Sequence, residues 1–238
     1  MTRTLPRIRR LAIAAMVGLF GALRALAQDA PLDLHADPTP VPAKTAKHKP
    51  GKDEPKPSLS EADVVARANA FLDSARVMTA DFVQVSPNGR RSEGKLYVER
   101  PGKMLFQYAP PAHIEIVADG RSVSVRDSKL GTQDLYFIGQ TPLKFLLNDH
   151  IDLAKDTRIL SVQSDDQAAS IELEDKATFG GTSHLTLVFD PLTFELKQWT
   201  VIDPQRLETV VTLFNVDLTT KPDPSLFYID EYVAAPKR

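Results

Sequence analysis

From Ala80 to about Val216 the apolar residues mostly recur at every second position, and turn-forming residues interrupt them every 8 to 12 residues or so. That alternation puts one face of an extended chain against a core, which a helical repeat would not do. It predicts eleven strands, at about 80–86, 91–99, 103–108, 113–118, 122–127, 133–137, 158–164, 168–174, 183–190, 194–202 and 207–216. The separators are turn formers: Pro87-Asn88-Gly89, Pro101-Gly102, Pro110-Pro111, Asp119-Gly120, Gly180-Gly181, Asp190-Pro191 and Asp203-Pro204. Connections of hairpin length make neighbouring strands antiparallel.

Helical signals occur in two places. In LSEADVVARANAFLDSARVM, Ser60 with Asp63 three residues on resembles a capping box. Val64, Ala68, Phe71, Leu72 and Ala75 then share one helical face, while Glu61, Arg67 and Asp73 look outward. Thr141-Pro142 is expected to cap and begin a short helix through Leu147, with a second around Ile151 to Leu153. These apolar helices are expected to sit against a single curved sheet, with no break for a second domain.

The front of the chain reads differently. Residues 1–27 combine Arg3, Arg7, Arg9 and Arg10, an apolar run from Leu11 to Leu23, and Ala25-Leu26-Ala27, the pattern of an export signal cleaved near Ala27. The run is short of the roughly 20 residues that span a bilayer. Without the five arginines of that segment, 24 basic residues face 31 acidic ones, a charge of −7, so nucleic acid is not an expected partner. Residues 28–58, with seven prolines and five lysines and no apolar period, predict an extended linker, a spacer or a reach segment. The folded domain is placed at 59–238, and the expected location is the periplasm.

No chemistry of catalysis stands out. Zero cysteines and five scattered histidines leave no metal-ligand spacing, so no metal or cofactor is expected. Ser183 and His184 are adjacent on a strand and point to opposite faces, which defeats a relay between them. Asp165-Asp166, and Glu172 with Glu174, read as solvated charges on a turn and a strand face. An enzyme is not expected.

On the apolar faces, Gly94, Leu96 and Val98 share a side, as do Met104, Phe106 and Tyr108, and Leu185, Leu187 and Phe189. Periodicity does not distinguish a filled core from a cavity. Here a family resemblance enters. Phe82-Val83-Gln84, Gly94-Lys95-Leu96, Arg100-Pro101-Gly102-Lys103, Phe106-Gln107-Tyr108, Ile116-Val117-Ala118-Asp119-Gly120 with Val123, Thr141-Pro142-Leu143, Asn215 and Leu226-Phe227 follow, in order, the motifs of the LolA family of outer-membrane lipoprotein carriers. The likeness runs over roughly residues 60–232, and the chain departs from the pattern in its long linker.

The resemblance implies an incomplete antiparallel barrel of eleven strands, closed by helices over an apolar cavity, and a soluble carrier, here expected to be a monomer. Its cargo would be acylated lipoproteins, its donor an inner-membrane ABC exporter and its receiver an outer-membrane acceptor. The acceptor is itself acylated on a cysteine, which this sequence lacks. It also implies that Arg100 latches the lid by bonding its backbone. Expected acyl-chain lining is Leu96, Val98, Met104, Leu105, Phe106, Ile116, Leu185, Leu187 and Trp199. Expected lid residues are Phe71, Leu72, Leu143, Phe145, Leu146 and Leu147. The alternatives are a periplasmic lipid or lipoprotein sensor, or a hydrophobic-ligand carrier of the same fold.

Overall fold

The computed structural model describes residues 59–230; the expected export signal, the linker and the last eight residues lie outside the described residues. The helices are α1 (Glu61–Ser74), α2 (Lys144–Leu147) and α3 (Leu153–Asp156), and the first strands are β1 (Val77–Val85), β2 (Arg91–Glu99) and β3 (Lys103–Tyr108). Then come β4 (Ile114–Asp119), β5 (Ser122–Asp127), β6 (Thr132–Phe137), β7 (Arg158–Ser164), β8 (Ala169–Asp175), β9 (Ser183–Phe189), β10 (Leu196–Ile202) and β11 (Glu208–Asp217). They form one open eleven-stranded sheet in the order β6-β5-β4-β3-β2-β1-β11-β10-β9-β8-β7, antiparallel throughout, with β6 and β7 at its edges.

The eleven expected strands are present. β1 starts three residues early, because Val77, Met78 and Thr79 already pair with Glu99, Val98 and Tyr97. Curling follows from one ring contact. β3 and β10 are separated by three strands, about 19 Å apart were the sheet flat. Phe106 and Trp199 on those two strands nevertheless meet edge to face with centroids 6.2 Å apart.

The acid surplus has a structural use. Asp119, Asp127, Asp165, Asp190, Asp203 and Asp217 each accept two backbone N–H groups from the turn that follows them. In Asp165 and Asp190 these bonds hold the carboxyl below its ordinary range. Asp165-Asp166 is thus a turn. Ser183 is buried and bonded to Thr178 while His184 looks outward, as strand parity requires.

At Ser60, the hydroxyl accepts the N–H of Asp63 at 3.2 Å and donates to its carboxylate at 2.6 Å. α1 then buries Val64, Ala68 and Leu72, each large side chain worth about 1.5–3 kcal/mol. The expected threonine cap of α2 is not formed. Thr141 Oγ1 donates to Ile138 O, Leu143 stands at the cap position, and α2 begins only at Lys144. Ile151 lies before α3, which is capped by Asp152.

Gly94 lies where the β2–β3 pairing leaves no room for a side chain. An added Cβ would lie 2.1 Å from Gln107 O. Its cross-strand neighbours Phe82 and Tyr108 fill the space over it, with ring centroids 5.1 Å apart. Gly94→Ala is expected to lower stability by about 1–3 kcal/mol, read as an earlier urea midpoint. Gly139→Ala, whose Cβ would meet nothing within 4 Å, is expected to change it by less than about 0.5 kcal/mol. Equal midpoints for the two variants would refute the crowding argument.

Candidate functional site

The inner face of the sheet carries the main core, and the three helices cover it. Leu96 pairs across strands with Phe106, which pairs with Ile116. Further round, Gln84 pairs with Val211, Val211 with Trp199, and Trp199 with Leu187. α1 lies over one part of this face, with Phe71 edge-on to Phe189 at 6.3 Å. α2 drives Phe145, Leu146 and Leu147 into the other, Phe145 meeting Trp199 at 5.8 Å.

Arg100, at the end of β2, is buried at 7% exposure and gathers the ends of both helices. Its Nε donates to Ala75 O at 3.1 Å, one Nη to Leu72 O, and the other Nη to Asn148 O at 3.2 Å. Leu72 and Ala75 end α1, and Asn148 is the C-cap of α2. One guanidinium therefore satisfies carbonyls at two helix C-termini, where cations are favoured. α1 has no basic residue in its own last turn, so the charge comes from another part of the chain.

Burial, then the charge of Arg76, pulls the Arg100 guanidinium below its ordinary value, while Asp73 and Asp149 oppose the shift. Those acids are engaged by neighbours: Asp149 pairs with Arg76, and Asp73 pairs with His150 at 2.7 Å and accepts the N–H of Ile151 at 2.8 Å. Close by, Gly102 N–H donates to Leu147 O at 2.8 Å, tying the β2–β3 turn to α2. The other end of α2 is held by Lys144, whose Nζ reaches the buried Asp175 of β8 at 2.8 Å.

Beside α2 the core leaves a cavity of about 50 Å³, lined by Gln84, Phe106, Tyr108, Ile116, Pro142, Leu143, Trp199, Val201, Thr209 and Val211. The expected lining residues Phe106, Ile116 and Trp199 stand there with the lid residue Leu143. Leu96, Val98, Met104, Leu185 and Leu187 lie on the same face but in the packed core, as do the lid residues Leu72, Phe145, Leu146 and Leu147, with Phe71 packed against it. Leu105 is a correction: it faces the outside, packed with Val117, Phe227 and Ile229. Its parity is opposite to that of Met104 and Phe106, so it cannot share their side.

The cavity is far smaller than the container implied by the resemblance. An apolar cavity of roughly 150 Å³ accommodates one benzene. Side chains of α1 and α2 fill most of the space under the curl of the sheet. Among the described residues there is no cluster of His, Asp or Glu able to hold a metal, and no helix long and apolar enough to cross a membrane.

The family model of LolA, the outer membrane lipoprotein carrier protein, matches residues 73–230, from the end of α1 through all eleven strands. An outer-membrane lipoprotein carrier protein of Methylococcus capsulatus is 32% identical over 139 residues, covering 55% of this chain and 66% of the relative. One from Dechloromonas aromatica is 28% identical over 142 residues, covering 56% and 68%. The chain thus spans about two thirds of the length of these curated relatives. The crystal structure of a LolA superfamily protein from Nitrosomonas europaea aligns with a TM-score of 0.40 at 11% identity, covering 73% of this chain and 100% of that one. With the family model running unbroken over the open sheet and both short helices of its cover, the chain belongs to the LolA family.

Proposed function

We propose that this protein is a periplasmic carrier, not an enzyme, that takes acylated lipoproteins from an inner-membrane ABC exporter and gives them to an outer-membrane acceptor. The observation that carries this reading is Arg100. A buried cation that binds the carbonyl ends of two helices at once suits a cover that must close firmly and yet come away in one step.

The physical need is plain. Each methylene is worth about 0.8 kcal/mol, so an acyl chain of roughly 16 carbons resists exposure to water by on the order of 10 kcal/mol. An empty open container would itself expose an apolar patch large enough to associate. A carrier must therefore close when empty, and the nearly filled interior under α1 and α2 suits an empty, closed form. Forward transfer without added energy requires only that the receiver bind the cargo better than the carrier does.

The test is to incubate the protein with inner-membrane vesicles, the exporter and ATP, and to look for lipoprotein released in soluble complex with it. Release is expected. If a related carrier extracts lipoprotein from the same vesicles and this protein does not, the reading fails.

A further inference from the structure

Most of the cavity wall is apolar, yet it includes the polar side chains of Gln84 and Tyr108. Hydrocarbon alone gives no reason for them, since a polar group in apolar surroundings is unfavourable unless it finds a partner. Gln84 and Tyr108 form a defined pair. Tyr108 Oη donates to Gln84 Oε1 at 2.7 Å. Phe82 lies edge-on to the Tyr108 ring at 5.1 Å and Phe106 stacks on it at 6.3 Å, so the phenol is held in place. Burial raises the phenol above its ordinary pKa and keeps it protonated.

The donor and acceptor inventory leaves capacity on both side chains. Gln84 Nε2 has two hydrogens, and one long bond of 3.3 Å to Ser86 Oγ uses one. The Tyr108 hydroxyl has spent its hydrogen on Gln84 but retains lone pairs. Together they offer one donor and one acceptor beside an apolar wall that includes Trp199, Val201 and Val211.

We propose that the Gln84–Tyr108 pair recognises the polar linkage at the head of an acyl chain, and an amide linkage above all. The carbonyl oxygen of the amide accepts from Gln84 Nε2, and its N–H donates to Tyr108 Oη. An ester offers only the first of these bonds, and a plain hydrocarbon neither. A fatty chain is then held in register by its head, with its tail laid under α2. This rests on the carrier reading, which supplies the acyl chain.

Trp199 is the protein's only tryptophan and lines the same cavity, so it reports occupancy directly. A brominated sixteen-carbon chain, presented as an N-methyl amide, a methyl ester or a plain hydrocarbon, is titrated against its fluorescence. All three probes are expected to quench Trp199, with affinity rising roughly three- to tenfold for each hydrogen bond the head can make. In Gln84→Met the ester-to-hydrocarbon ratio should fall towards one, and the amide should keep only the advantage of its bond to Tyr108. In Tyr108→Phe, which keeps the ring, the amide should lose its advantage over the ester. Equal affinities for the three probes in the wild type would overturn the proposal, as would an undiminished amide preference in both variants. If none of the probes quenches the wild type, the carrier reading falls, and this proposal with it.

Discussion

Arg100→Leu is expected to hold acylated cargo about a hundredfold more tightly than the wild type and to stall at hand-over to the acceptor. The size of the effect follows from the bonds that Arg100 makes. Arg100 makes three charge-assisted bonds, to Leu72, Ala75 and Asn148. Bonds to charged groups contribute about 1.5–3 kcal/mol each before the desolvation of the guanidinium is subtracted. A net closing preference of about 3 kcal/mol leaves on the order of 1% of the molecules open. If only the open form takes cargo, apparent affinity is reduced by that fraction, and removing the latch restores it.

The same shift removes the downhill step to the receiver. Arg100→Lys separates geometry from charge: an ammonium keeps the cation but lacks the planar fork that reaches three carbonyls. It is expected to behave like the leucine variant. The readout is the rate at which acceptor-bearing vesicles strip lipoprotein from the purified complex. Transfer at the wild-type rate in both variants would remove the latch.

Much of the architecture is legible in the residues because one period governs it. Leu96, Val98, Met104, Phe106, Leu185, Leu187 and Trp199 all reach the inner face by strand parity alone, and the same rule sends Leu105 outward to Val117. α1 is legible from Ser60 and Asp63, whose bond depends only on local spacing. α2 is less so. Thr141 donates its hydroxyl back to Ile138 O and lies two residues before Leu143, where the helix is capped.

The cavity is the least legible part. Gln84 and Tyr108 lie 24 residues apart, and their hydrogen bond depends on how β1, β2 and β3 register and curl. Nothing in either local sequence reports that register. Arg100 is a similar case. Its local sequence, a strand end beside Pro101, says nothing of helices, and its burial requires α1 and α2 to arrive from 25 and 48 residues away. Local pattern fixes faces, whereas the site is made where distant segments cross.

The second large effect is expected at the opposite end of α2. Asp175 is 2% exposed and accepts both Lys144 Nζ, at 2.8 Å, and the N–H of Ala177, at 2.9 Å. The Lys144 side chain is itself only 13% exposed. Asp175→Ala leaves that ammonium without its partner, and breaking a buried pair in this way costs about 3–5 kcal/mol. In a domain of this size that is a drop of roughly 10 °C in melting temperature. Replacing both residues, as Lys144→Met with Asp175→Leu, removes the stranded charge and is expected to recover most of the loss. The location gives the pair a further consequence. Arg100 and Gly102 hold the C-terminal end of α2 to the β2–β3 side of the sheet, while Asp175 holds its N-terminal end to β8, across the curl. Losing the second attachment should therefore free α2 before the strands melt. Amide exchange of Phe145 to Asn148 is expected to speed up in Asp175→Ala well below the unfolding transition, while that of Leu187 and Val211, in the centre of the sheet, tracks global stability. Uniform acceleration across α2 and the strands alike would mean that the ion pair supports the domain as a whole and does not anchor the cover.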